Sequence, residues 1–130
     1  MRQAFIVFLI SVLQGGAINL SDVAGTWKVR SMVGPKDSVV ATSVVVATAG
    51  REGWIMRLEA RPPIPLRIVA VGGDSIVTEA GPYPSVLRPG QTTTTRFGGH
   101  YHGRRMTGTF EAHYPSGDVV RGKLAATRKK

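Results

Sequence analysis

The chain has 130 residues, no cysteine, and 17 Lys plus Arg against 8 Asp plus Glu, a net charge of +9. That length fits one domain with one core, and 42% hydrophobic residues set the chain apart from disordered sequences. Without thiols there is no disulfide framework and no lipid anchor on cysteine, so the core must hold the fold unaided.

In chain order, Met1-Arg2-Gln3 is a short positive start, and residues 4–13 are apolar except for Ser11. Gly15 and Ala17 then supply small residues ahead of a cleavage point. The pattern predicts a signal peptide over residues 1–17, too short in its apolar part to span a bilayer, and a mature domain over 18–130. A cysteine-free exported domain suits the bacterial envelope, so a secreted or periplasmic location is expected.

Residues 18–24 can hold one helical turn. Strands follow, rich in Val, Thr and Ile at a period near two and punctuated by 16 glycines and 8 prolines. The first covers 25–32, with Gly25, Trp27, Val29 and Ser31 on one face and Thr26, Lys28 and Arg30 on the other. A Gly-Pro turn leads to a β-branched strand over 39–48, and a hairpin turn at 49–53 to a third strand that alternates Trp54, Met56 and Leu58 inward. Residues 61–65, with three prolines, read as a loop or an edge crossing.

The fourth strand covers 66–71, and Gly72-Gly73-Asp74 turns into a fifth over 75–79. Residues 80–84 break the pattern. A Thr-rich sixth strand is expected over 91–97, with a short extended piece at 85–87 before it, and 98–103 reads as a turn. The seventh strand, 105–114, alternates Met106, Gly108, Phe110, Ala112 and Tyr114 against polar residues. A turn at 115–118 precedes the eighth, 119–127.

Eight short strands joined by short turns describe an antiparallel meander, since no connection has the length of a parallel crossover. The expected fold class is all-β, a single eight-stranded antiparallel up-and-down barrel, because closure removes exposed edges. A two-sheet β-sandwich is the alternative. Trp27, Met56, Leu66, Ile68, Phe110 and Leu124 are assigned to the interior.

Ala24-Gly25-Thr26-Trp27-Lys28, after a short helical turn, resembles the Gly-x-Trp signature of the calycin barrels, the lipocalins and fatty-acid-binding proteins. In that group an arginine of the last strand packs across the tryptophan and closes the barrel. Here Arg128 stands at the matching far end, and it shares the phase of Val120, Gly122, Leu124 and Ala126. The resemblance implies that Gly25, Trp27 and Arg128 close the barrel and that the interior binds a small apolar or amphipathic ligand. The chain departs from the family in three ways. No pair of helices follows the first strand, no long helix follows the barrel, and the lipocalin Thr-Asp-Tyr element is missing.

Chemistry is sparse. His100 and His102 with Glu111 and His113 suggest a metal site, but the expected seventh strand puts His113 about 30 Å from the two histidines of the turn. Ser75, Ser85 and Ser116 have no nucleophile elbow around them, and Asp74 and Glu79 fall on opposite faces of a strand. Gly72-Gly73 and Gly98-Gly99 do not stand between a strand and a helix, so no phosphate cradle is supported. No catalytic residue, metal or cofactor is assigned, and an enzyme is the minority reading.

The stiff connection over 79–88 is the candidate mouth of the barrel. Glu79, Tyr83 and Arg88 on it, with Met56 and Phe110 inside, are the candidate ligand-binding residues. The leading function is therefore an exported binding protein for a small apolar or amphipathic ligand. The alternative is an envelope interaction module, a filled barrel whose basic surface meets an anionic polymer or lipid surface. The small inward residues Gly108, Ala112, Gly122 and Ala126 either leave a cavity or let the barrel close tightly. Export and scattered basic residues argue against nucleic acid, and a monomer is expected.

Overall fold

A computed structural model describes residues 18–130, so the leader expected over 1–17 lies outside the described residues. The elements are a helical turn α1 (Leu20–Val23) and eight strands. These are β1 (Gly25–Val33), β2 (Ser38–Ala47), β3 (Ile55–Arg57), β4 (Ile64–Gly72), β5 (Ser75–Pro84), β6 (Thr92–His102), β7 (Arg105–His113) and β8 (Val119–Arg128). Every strand runs antiparallel to the next and β8 pairs with β1, which closes the barrel and excludes the sandwich. Closure gives every strand a neighbour on both sides over at least part of its length, which satisfies most backbone polar groups of the sheet.

Period-two alternation aims one face of each strand inward. Trp27, Met56, Leu66, Phe110 and Leu124 are buried as the pattern predicts, and Ile68 is half-buried against the same core. Each fully buried Leu, Met or Phe contributes about 1.5–3 kcal/mol of transfer free energy. In a barrel with no disulfide these are the terms that offset chain entropy.

Three local expectations are corrected. The break expected over 80–84 is strand: β5 continues to Pro84 through a bulge between Ala80 and Tyr83. Ala80 pairs with Thr95 and Tyr83 with Thr93, which leaves Gly81 and Pro82 outside the ladder, where proline's missing N–H costs nothing. Gly81 is required there, since its φ is 118° and a Cβ would stand 2.6 Å from the Thr93 carbonyl oxygen.

The turn expected over 98–103 is also strand. β6 runs to His102, and Gly103 makes the turn. The glycines serve close approach: Gly99 pairs with Gly108, and a Cβ on Gly108 would collide with the Gly98 carbonyl oxygen. The third correction concerns β3, expected over 54–59 but only three residues long. Trp54 and Leu58 remain buried on either side of it, while β4 begins early and pairs Ile64 and Pro65 with it.

The barrel wall is thin at β3. Only Val44, Val45 and Val46 of β2 pair with it, although β2 pairs with β1 from Ser38 to Ala47 with one bulge, at Val40. Residues 38–43 of β2 thus have a strand partner on one side alone. Val39 is 52% exposed on this stretch, and Val69, in the bulge of β4 against β5, is 42% exposed.

Candidate functional site

One end of the barrel is sealed by Arg128. Its guanidinium carbon lies 4.9 Å from the centroid of the Trp27 ring. Nη1 donates to the carbonyls of Asp22 (2.7 Å) and Ala24 (3.0 Å), and Nη2 to the carbonyl of Gly103 (2.7 Å) and the Tyr101 hydroxyl (3.1 Å). Trp27 Nε1 donates to the Val23 carbonyl at 2.9 Å, so α1 receives hydrogen bonds from both side chains. A Cβ on Gly25 would come within 3.1 Å of Arg128 Cδ, at a φ of 138° that side chains rarely adopt. Tyr101 meets Trp27 edge-on, with centroids 6.4 Å apart. Sequence reasoning missed Tyr101 because it placed that residue in a turn. These contacts hold a barrel end shut.

The interior holds two small voids. A cavity of about 70 Å³ lies among Trp27, Trp54, Met56, Phe97 and Met106 and is lined almost wholly by apolar groups. A second, about 40 Å³, lies toward the opposite end beside Tyr83, Ser85, Thr93, Thr95 and Phe110. Met56, Ser43 and Phe97 line both and divide one from the other. Hydroxyls line the second: Tyr83 donates to Thr95 Oγ1 at 2.9 Å, and Ser85 Oγ lies 2.8 Å from the Tyr114 hydroxyl. Burial pushes the Tyr83 hydroxyl above its ordinary pKa.

Gly122 and Gly108 help to shut this space. A Cβ on Gly122 would lie 2.5 Å from Cε2 of Phe110 and would collide with the Met32 carbonyl oxygen. The small residues therefore let strands and rings approach.

The five candidate ligand residues divide. Met56, Phe110 and Tyr83 line the interior voids. Glu79 instead faces the outside of β5, between Arg67 and Arg96, each with a guanidinium nitrogen 3.1 Å from one of its oxygens. The hydrogen bond from Arg67 does most to hold its carboxyl below the usual range, against a smaller opposing effect of burial. Arg88 stacks over the Tyr114 ring at 4.7 Å and pairs with Asp118 at 2.9 Å. Its own N–H donates to Ser85 Oγ at 3.0 Å, so it fastens the β5–β6 connection over the barrel end.

The folded chain brings His100, expected in a turn, to Asp74 and Ser75. His100 Nδ1 lies 3.1 Å from Asp74 Oδ1 and 3.0 Å from Ser75 Oγ. Both contacts use the same ring nitrogen, so the imidazole does not bridge carboxylate and hydroxyl as a nucleophile–base relay requires. The His100 hydrogen bond is the main cause that lowers the Asp74 pKa. His113 pairs separately with Glu111 at 3.1 Å. Among the described residues no three His, Cys, Asp or Glu side chains converge as a metal site would need.

A roomier concavity, about 630 Å³, lies on the outer wall across β8, β1, β2 and the end of β3. Register builds it. Lys28 is paired with Thr127 and Val44, and Val44 with Arg57; Arg30 is paired with Ala125 and Thr42. Long cations thus rise from a floor of small side chains, with Lys28 and Arg30 about 7 Å apart along β1. None of the ion pairs among the described residues involves Lys28, Arg30 or Arg57. Glu59 is the one carboxylate on the rim, and no aromatic ring lines the groove.

The fold and its sealed end define a class: a closed eight-stranded antiparallel barrel with an arginine-capped tryptophan, compatible with the calycin architecture. Comparison with family models, with curated proteins and with solved structures finds no match to this chain.

Proposed function

We propose that this chain is a calycin-like interaction module of the cell envelope, a filled barrel whose basic outer wall binds anionic polymers. One contrast carries the reading. The interior voids of about 70 and 40 Å³ fall well short of the roughly 300–1,000 Å³ of small-molecule pockets. The outer groove offers about 630 Å³ and three cations without carboxylate partners among the described residues. Export, read from the leader pattern, puts anionic wall polymers and lipid headgroups within reach. The absence of an aromatic platform in the groove disfavours nucleic-acid bases, which single-strand binders stack on rings. Retention of the mature chain on a polyphosphate matrix tests the reading. Binding should weaken steeply with salt and be lost in the triple variant Lys28→Gln, Arg30→Gln, Arg57→Gln. Salt-independent retention, or equal retention of the variant, would count against it.

A second reading rests on the polarity of the interior, which is apolar around Trp27 and Trp54 and hydroxyl-lined around Tyr83 and Tyr114. That gradient suits a short amphipathic molecule with Met56 turned aside. Native mass spectrometry of protein purified from its host separates the two, because a retained small molecule favours the interior and an empty barrel favours the wall.

A further inference from the structure

We propose that the anionic polymer taken by this wall is an extended acidic polypeptide segment, which adds as a strand to the free edge of β2 over residues 38–43. The inference rests on the reading of the outer groove as a polyanion site and names its partner. Two independent observations meet here. The first is the ladder. β2 pairs with β1 from Ser38 to Ala47, interrupted only by a bulge at Val40, yet β3 covers only Val44–Val46, so residues 38–43 have no described strand on their other side, and 41–43 form the regular part of that edge. No other backbone hydrogen bond among the described residues reaches them. The stretch Ser38-Val39-Val40-Ala41-Thr42-Ser43 has no charge and no proline, and it lacks the lysine that blunts natural edges. Such an edge is a template for strand addition.

The second observation is charge. Lys28 and Arg30 on β1 and Arg57 on β3, which make no ion pair among the described residues, flank β2, and the groove they line includes Thr42 and Ser43 of the edge itself. Arg30 is paired with Thr42, so an added residue opposite Thr42 would lie two strand spacings from Arg30, about 10 Å, with its side chain on the same outer face. Alternate residues of the added strand would therefore carry carboxylates outward. The intervening residues would face inward with Ala41 and Ser43, which line the smaller void. The partner's pattern is acid alternating with a small apolar residue. A second copy of this chain does not supply it, because its eight acidic residues are dispersed and none are adjacent. Glu59 at the rim opposes the partner's charge but is outnumbered.

The test uses the mature chain, a short peptide alternating glutamate with valine, the same peptide N-methylated at alternate amides, and inorganic polyphosphate. N-methylation removes edge hydrogen bonds and keeps every charge. Titration should show the unmodified peptide binding about tenfold or more tightly than the methylated one, a difference of about 1.4 kcal/mol or more. Lys28→Gln, Arg30→Gln, Arg57→Gln should weaken binding of both peptides and of polyphosphate, with the circular dichroism of the fold unchanged. Equal binding of the two peptides overturns strand addition while leaving the polyanion reading in place. Failure of polyphosphate and both peptides to bind overturns both readings. Polyphosphate binding without peptide binding overturns the polypeptide partner alone.

Discussion

Arg128 and Trp27 are direct cross-strand partners in the β8–β1 ladder, and the guanidinium folds back over the indole 4.9 Å from its centroid. One side chain thereby joins the last strand to the first, caps the ring, and donates to carbonyls of Asp22, Ala24 and Gly103. Arg128→Ala removes the cation–π contact and frees those carbonyls to water, at an expected cost of about 1–3 kcal/mol. Lys129→Ala and Lys130→Ala, exposed beyond the barrel, should each stay within about 0.5 kcal/mol of the parent. Urea melts of the three variants measure this, and equal small effects would deny Arg128 its role in closure.

Gly122→Ala places a methyl group against the Met32 carbonyl oxygen and the Phe110 ring. Backbone cannot yield as a flexible side-chain tip can, so a loss of about 1–3 kcal/mol is expected. Gly50→Ala, with open space around its Cβ and no positive φ, should change stability by less than about 0.5 kcal/mol. Thermal melts of both variants at one protein concentration make the comparison.

Met56→Ala deletes a buried side chain that divides the two interior voids. It should cost about 2–5 kcal/mol and join the voids into one chamber, apolar at the Trp27 and Trp54 end. Such a chamber should bind a small apolar probe such as xenon or benzene, as engineered apolar cavities do. Xenon-induced shifts in the NMR spectrum of the variant, absent from the parent, would show the joined space. Their absence would mean that the neighbouring side chains collapse into it.

Three carboxylates should govern acid stability. Glu79, Glu111 and Asp74 all have folded pKa values below their ordinary ones, chiefly through hydrogen bonds from Arg67, His113 and His100 respectively. As pH falls, the unfolded chain takes up these protons first. The stabilisation is therefore full above the ordinary values, 4.5 for glutamate and 3.8 for aspartate, and is lost as pH drops through the lower folded values. Glu79→Gln should flatten the acid limb of a stability–pH curve and leave its neutral region within about 1 kcal/mol, since both arginine partners are half-exposed and screened. A variant curve parallel to the parent's at low pH would deny Glu79 this part.

Strand number, most turns and the inward phase of Trp27, Met56, Phe110 and Leu124 were legible in the sequence, because alternation and turn chemistry are local properties of a few neighbouring residues. Arg128 was legible for the same reason, once its phase along the last strand was counted. What failed to show were features whose cause lies on another strand. Gly81-Pro82 and Gly98-Gly99 look like breaks when read along the chain. In the barrel, one pair forms a bulge and the other gives way to Gly108 across the ladder. The union of Asp74, Ser75 and His100 depends on β6 continuing through those glycines. The basic groove likewise needs Lys28, Arg30 and Arg57 aligned across three strands, and the free edge of β2 needs β3 to stop after three residues. Local alternation was enough to set an all-β chain with a core on one face of each strand. Only closure decided which strands would meet, how tightly glycine would let them approach and which charges would share a surface, because register and curvature are settled by contacts between residues far apart in the chain.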